Sequence, residues 1–386
     1  MCTPLIMHGE LDMERLSYTV PRLKYLHDAG MHEAIRRGGI VVSPLRDAAV
    51  QPASLDVSVG TVRIYDAASH DRLLTAQKRH LFSLGDDLLL ARYATRLPLV
   101  GGDAITLPQK TYIEIFLDER VSWDDSFDVQ VTLRSSRARL GLRLENARLM
   151  QGDTLQGEEQ PGEDGWYVGL RNFNVNPIVL HRGTPFAQLF FRPRTQAWDT
   201  YAGNVVTDPE AVARIAETLS PNLETHGPYV LFRAGERSWT YRRSGAIDTA
   251  GKTPADAIEE HDKEPATLGM FESGIVTLDP EIRVPANIGI RLLSTLPYAQ
   301  TPFLTRPDAT LAGLESMVVN GEWVDPGYNG HVTAHPVPYN SPRTIIPGMP
   351  FCVGLLIEYP SAAQRAYGDS ALGSHYQGSK GDVARS

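Results

Sequence analysis

Cysteine is nearly absent: the 386-residue chain has two, Cys2 and Cys352. Two thiols cannot build a disulfide framework or a four-thiolate zinc centre. Long apolar runs are absent too, and no stretch approaches the ~20 apolar residues that a membrane helix needs. The N-terminal MCTPLIMHGELDMERL carries acids early and lacks an apolar core, so it does not read as a signal peptide. A cytoplasmic location is the expectation. Excess positive charge is also missing. The net charge is −9, which argues against a broad basic face for nucleic acid. An anionic ligand must be met by a local cluster.

What is present is an ordinary globular composition, 42% apolar and 22% charged, with enough apolar side chains for real cores. The 33 glycines and 27 prolines are spread rather than tracted, which suits many short strands joined by turns. MHEAIRRGGIVV (31–42) predicts a short helix stopped by Gly38-Gly39, then a strand. Up to about residue 195, β-type runs dominate: LDVSVGTVRIY, TYIEIFL, FDVQVTL, PIVLHRGTPFAQLFF. Val129, Val131 and Leu133 alternate with Asp128, Gln130 and Thr132, which predicts a half-buried strand. Further on, DPEAVARIAETL has helical spacing, and TAGKTPADAIEEHDKEP reads as a linker or exposed insertion. β character then returns in GIVTLDPEIRVP, IGIRLL, HVTAHPV and MPFCVGLLIEY. PIVLHRGTPFAQLFF resembles RTIIPGMPFCVGLLIEY, and GDAITLPQKTYIEIFLDERVSW more weakly resembles ESGIVTLDPEIRVPANIG. The expected organisation is a β domain over 1–200, a helical and linker insertion over 201–265, and a second β domain over 266–386 with a Gly/Ser-rich tail.

The densest positive cluster is TLRSSRARLGL, 132–142. Ser135 and Ser136 offer hydroxyls and backbone amides to phosphate oxygens, and Arg134 and Arg139 offer charge-assisted bonds. Read as a strand, the run puts Ser135, Arg137 and Arg139 on one face and Arg134, Ser136 and Ala138 on the other. That leaves Arg137 solvated unless a bulge breaks the register. The alternative is a charged edge strand that resists aggregation.

VQPASLDVSVG (50–60), TLRSSRARLGL, VDPGYNGHVT (324–333), IIPGMPFCVGLLIEY (345–359) and RAYGDSALGSHYQGSKG (365–381) occur in that order. Together they resemble the dCTP deaminase and dUTPase superfamily, the deaminase branch above all, in a double-length form of what is usually one domain. The resemblance implies a mainly β fold of two tandem dUTPase-like distorted barrels, jelly-roll-like, with a few short helices. It implies a triphosphate cradle at Arg134, Ser135, Ser136 and Arg139, with Asp325 on the deoxyribose hydroxyl beside Tyr328. It also implies a C-terminal arm carrying Tyr367, His375, Gln377 and Lys380 that folds over the triphosphate. The partner would be a deoxynucleoside triphosphate, not nucleic acid or a membrane, and the protein a homo-oligomer. Mg²⁺ would arrive with the triphosphate rather than sit in a protein cage. Zinc is not expected: His8-Gly9-Glu10 fits H-x-E, but no P-C-x-x-C follows.

The chain departs from the family pattern in several places. The family's catalytic glutamate falls on His335 in the second domain and on Arg171 in the first. The arm lysine falls on His375, and an arm glutamine on Ser379, with Gln377 nearby. The second domain's counterpart of the cradle is DATLAGLES, with Gly313 in place of the second arginine, and it has Val353 where the first domain keeps Gln188. The losses are complementary, which points to one composite site per chain, between its halves or between chains. His335 can serve as a general base near neutral pH. HVTAH places His331 and His335 on one strand face with Thr333 between them. A two-histidine metal site would lack a third ligand, and a polar pocket wall without chemistry is the plainer reading. Three functions follow as expectations. They are deamination of dCTP to dUTP and ammonia, pyrophosphate release with Asp325 activating water, and deoxynucleotide binding without turnover.

Overall fold

The computed structural model describes residues 23–46, 48–65, 96–100, 103–147, 167–251, 253–293, 317–320, 323–338, 342–372 and 376–379. Twelve strands frame the molecule. They are β1 (Leu55–Tyr65), β2 (Tyr112–Leu117), β3 (Phe127–Leu133), β4 (Leu142–Ala147), β5 (Tyr167–Asn172), β6 (Pro185–Pro193), β7 (Tyr229–Tyr241), β8 (Gly274–Asp279), β9 (Ile288–Leu293), β10 (Met317–Asn320), β11 (Thr333–Pro338) and β12 (Pro350–Glu358). Among the described residues, three α-helices accompany them: α1 (Asp28–Arg37), a single turn α2 (Ser135–Ala138) and α3 (Pro209–Leu219).

One antiparallel sheet runs β3-β6-β1-β2-β5-β4 and the other β9-β12-β7-β8-β11-β10. The two orders are identical when each number in the first is raised by six. The sequence pairs noted above fall on matching strands, β6 with β12 and β2 with β8. The fold is mainly β with few short helices, as expected. Each sheet curls around its own core. Ile113, Ile115, Leu170 and Phe186 are among the residues buried in the first, and Phe232, Ile275, Ile290 and Leu356 in the second. Burial on this scale, at about 25 cal/mol per Å² of apolar surface, is the main force holding each unit.

α1 forms where expected. His27 caps its start by accepting the Ala29 N–H, and Gly38 ends it in the left-handed region at φ 78°. β3 differs from expectation. Gln130 and Thr132 are 4% and 7% exposed, so the strand is buried on both faces. Its polar side chains are matched by protein: Tyr25 Oη donates to Gln130 Oε1 at 3.4 Å.

The stretch 201–265, expected as a helical and linker insertion, is largely sheet. It supplies α3, but also β7 at the middle of the second sheet. The supposed linker contributes Ile258–Asp262, which pairs with the end of β7. Its acids looked unstructured because they form an exposed charge ladder: Arg237 Nη2 meets Glu260 at 2.7 Å and Arg242 Nη2 meets Glu259 at 2.5 Å. The units also interlock. Lys24–Leu26 joins the second sheet through Ala202–Val205, which pairs with the end of β12, and Ile247–Asp248 pairs in parallel with Ile178–Val179 of the first unit. An aromatic seam closes the contact, with the rings of Phe190 and Trp323 4.5 Å apart and Tyr25 edge-on to Trp323 at 5.0 Å. Among the described residues, no helix is long and apolar enough to cross a membrane.

Candidate functional site

The arginine–serine run is a helical turn, not a strand. Arg137 N and Ala138 N both donate to the Arg134 carbonyl, at 2.8 and 3.0 Å, and Arg139 N donates to Ser135 at 2.9 Å. Gly141, at φ 76°, closes the turn against Ala138. A Cβ there would lie 3.0 Å from Asn174 N, so glycine is required both for the backbone and for space. The helical register corrects the expectation for Arg137, which is half-buried and bonded rather than simply solvated. Its guanidinium donates to the carbonyls of Thr249 at 2.9 Å and Pro185 at 3.2 Å. Burial and the neighbouring Arg134 charge lower its pKa to about 10. The turn is braced further by the Tyr241 hydroxyl, which donates to the Arg139 carbonyl, and by Asn174, which donates to the Leu140 carbonyl. Thus the supposed linker region helps set the geometry of the turn.

The second component is the Asp325–Gly330 turn. Tyr328 N donates to the Asp325 carbonyl, and Tyr328 Oη donates to the His331 carbonyl at 2.6 Å. Burial pushes the Tyr328 phenol up to about 12, with the Arg139 charge opposing. The third component is the arm, which lies on that turn. Tyr367 N donates to Pro326, Gly378 N to Asn329, and His331 N to the Ser379 carbonyl. Gly327 (φ 91°) and Gly330 (φ 135°) permit this approach. A Cβ on either would come within 2.9 Å of arm backbone, at Tyr367 N or Ser379 N.

These three segments meet at one cleft of about 410 Å³, open mouth included. Ser135 and Arg139 come from the first unit's turn, Asp325 and Tyr328 from the second unit's, and Tyr367 and Tyr376 from the arm. Trp323, Val324, Val332 and Thr333 complete the wall. Arg134 stands just behind, its Nη1 3.0 Å from Asp56 Oδ2.

Not every expected residue faces the cleft. Ser136 is on the same helical turn but is not on the wall. Gln377 clasps the turn instead: its Nε2 donates to the Gly327 carbonyl and its Oε1 accepts the Asn329 N–H, both at 3.1 Å. His375 and Lys380 lie outside the described residues. His335 is fully buried one step behind the wall, its Nε2 3.4 Å from the hydroxyl of Thr333. His331 is held apart from it, with Nδ1 3.3 Å from Asp279 Oδ1, a contact that raises its pKa. Among the described residues, no three His, Cys, Asp or Glu side chains are grouped as a metal site. Arg171, at the first unit's equivalent of His335, is also buried, flanked by the rings of Tyr112 and Phe173.

Electrostatics single out two carboxylates. Burial, then the nearby Asp56 charge, raise the Asp325 pKa to about 7, against the pull of Arg134. Burial raises Asp56 to about 6, opposed by Arg134 and the Gln188 amide. One oxygen of each, Oδ1, is buried without a hydrogen-bond partner among the described residues. Asp56 sits within the VQPASLDVSVG motif, but nothing in its local sequence marks it as a neighbour of Asp325.

A further ion-dipole grip roots the arm. Asp28, at the start of α1, accepts the backbone N–H of Gln364 at 3.1 Å and of Arg365 at 2.8 Å. Burial works against its charge, but hydrogen bonds from His27 and these amides outweigh it and hold the pKa below 3.8. The linkage has a definite sign: a depressed carboxylate pKa stabilises the fold above about pH 4 and stops doing so as pH falls through the folded value. Asp28→Ala should cost about 1–3 kcal/mol at pH 7 by leaving two amides unpaired. Urea melts at pH 7 and pH 3 check this, since the difference from wild type should shrink at pH 3. The variant's arm should also be cut faster by a protease at pH 7.

The family model for dCTP deaminase-like proteins matches residues 25–193. The dCTP deaminase, dUMP-forming, of Rhodococcus opacus (strain B4) is 45% identical over 60 residues, 15% of this chain and 32% of that protein. The protein of the same description from Corynebacterium diphtheriae is 30% identical over 125 residues, 32% of this chain and 60% of that one. The chain therefore aligns with between a third and two thirds of the length of these curated relatives. In structure it resembles the 2′-deoxycytidine 5′-triphosphate deaminase of Agrobacterium tumefaciens, with a TM-score of 0.64 at 16% identity, covering 88% of this chain and 99% of that one. Residues 25–193 match the dCTP deaminase-like family model, and at 386 residues the chain extends well beyond that matched span.

Proposed function

We propose that the cleft binds a deoxynucleoside triphosphate and that the protein is a dCTP deaminase-like enzyme of deoxynucleotide metabolism. The two β units would be tandem halves sharing one site. The observation that carries this reading is the meeting of Arg139, Asp325 and Tyr367 on one cleft within a single chain. Ser135 and Arg139 would take phosphate oxygens, with Arg134 adding charge from behind. Asp325 would accept the sugar hydroxyl, and the arm would keep water out. Mg²⁺ would enter as part of the substrate.

Deamination adds water oxygen to cytosine C4, places one of its protons on N3 and the other on the exocyclic nitrogen, and expels ammonia, leaving a C4 carbonyl. One group can carry those protons. His335 would fill the role through the Thr333 hydroxyl, which lines the cleft while the imidazole sits 3.4 Å behind it. His335→Ala should then lower kcat by at least about 100-fold while leaving dCTP affinity intact.

Pyrophosphate release is the second reading. It is favoured by the placement of Asp325, a wall carboxylate that ionises near neutral pH, and by the dUMP-forming description of the relatives. Incubation with each of dCTP, dUTP, CTP and dTTP plus Mg²⁺, followed by product separation, decides between them. Ammonia and dUTP support deamination alone; dUMP and pyrophosphate support the second activity. Binding of dCTP with neither product would leave a regulatory protein and overturn the enzymatic reading.

A further inference from the structure

We infer that the second unit carries a clamp for the first unit's arginine–serine turn, with Tyr241 and Arg137 as its two positioning residues. This rests on the nucleotide-binding reading above and names what keeps that site in shape. The clamp is the segment 241–249, which leaves the end of β7 and runs over the first unit. It is bonded to the turn in both directions. Tyr241, the last residue of β7, packs against the first unit's core and donates its hydroxyl to the Arg139 carbonyl. Arg137 reaches back from α2, and its Nη1 donates to the Thr249 carbonyl at 2.9 Å.

The segment is itself fixed to the first unit. Asn176 Nδ2 donates to the Arg242 carbonyl at 2.7 Å, and Asn176 Oδ1 accepts Ser244 N at 2.8 Å. Ile247 is wholly buried in the first unit's core. Ile247 N donates to the Pro177 carbonyl at 2.8 Å and Thr249 N to the Val179 carbonyl at 3.0 Å. His181 Nε2 and Asp248 Oδ1 lie 2.7 Å apart. Both contacts with the turn therefore start from an anchored backbone.

The turn needs such outside support. α2 is four residues long, too short to hold its shape alone. The last carbonyls of a helical turn have no partner within it. Here Leu140 and Gly141 are served from the first unit, by the Asn174 amide and by Phe173 N, whereas Arg139 is served by Tyr241 from the second. Arg137 adds a second tie, since its planar fork also donates to the Pro185 carbonyl through Nε at 3.2 Å. A lysine cannot span both carbonyls in that geometry. Ser135 and Arg139 stand at the two ends of this braced turn and line the cleft. Nucleotide affinity therefore depends on two side chains that do not line the cleft.

Calorimetry with dCTP as the probe and hydrogen exchange over residues 132–142, both on the full chain, test this. Tyr241→Phe keeps the ring and loses only the O–H donor. It should weaken dCTP binding about 3- to 10-fold, the span of one net hydrogen bond. Arg137→Lys keeps the charge and loses the fork, and should weaken binding by about the same factor. Amides in 132–142 should exchange faster in both unliganded variants and regain protection with dCTP. A merely structural role would lower the melting temperature while the folded variants kept the wild-type dissociation constant, and that result would overturn the inference. So would unchanged exchange over 132–142 in both variants. Wild-type protein that binds none of dCTP, dUTP or dTTP would overturn the nucleotide reading together with this one, whereas wild-type binding that both variants retain in full sinks this inference alone.

Discussion

Arg139→Ala is expected to weaken dCTP binding by at least about 30-fold, the largest loss of affinity from any single side chain in the cleft. Removing one member of a buried charge contact costs about 2–5 kcal/mol, and about 1.4 kcal/mol is tenfold. Arg139 qualifies because it is almost wholly buried yet lines the cleft, so water cannot replace it on the ligand. Its neighbours cannot substitute. Arg137 spends its guanidinium on the Thr249 and Pro185 carbonyls. Arg134 is turned toward Asp56. Equilibrium binding at two salt concentrations checks the point. Wild-type affinity should fall with salt, and the variant's should fall less steeply, since one screened charge pair is gone. Unchanged affinity in a folded Arg139→Ala protein would remove the cradle from this turn.

How much of this could be read from the sequence depended on whether the deciding contacts were local. The Gly38 helix stop and the helical spacing of α3 are local, and both were legible. So was the meeting of three motif-bearing segments, since each motif keeps its wording. The helical turn at Ser135 was not. Six residues of mixed charge and small side chains satisfy a strand and a single helical turn equally, and only the i to i+3 and i+4 bonds decide. Arg137 was misread for that reason. The strand at Ile258–Asp262 was hidden because its charges pair across the ladder rather than alternating with apolar residues. Asp56 and Tyr376 were missed for a third reason. Their significance lies in a partner some 240 to 270 positions away, Asp325 for one and Arg139 for the other, and no local pattern encodes such a pairing. Gln377 shows the converse: a residue in the right motif whose amide serves the turn rather than the cleft.

Asp325→Asn tests the chemistry most directly, because it keeps shape and an acceptor while deleting the charge. If Asp325 activates water, as the pyrophosphate-release reading has it, turnover is expected to fall at least about 100-fold at pH 8. The wild-type rate should rise with pH through an inflection near 7, where Asp325 ionises, and the variant should lose that inflection. The same residue predicts an opposite effect on stability. A carboxylate whose folded pKa lies above its unfolded value binds more protons in the native state between pH 4 and 7, so stability falls as pH rises across that window. Asn at this position escapes the loss. The variant should therefore be more stable than wild type by about 1–2 kcal/mol at pH 8, less than the full cost of a three-unit shift because solvent reaches the cleft. At pH 4 the two should melt alike. Asp56, buried at 4% exposure beside Arg134, would then feel one like charge fewer and ionise more readily. A gain in stability paired with a loss of rate is the mark of a group kept for chemistry against the interest of the fold. If Asp325→Asn raised KM without touching kcat or the pH inflection, Asp325 would be holding the sugar only, as the deamination reading has it, with His335 as the proton carrier.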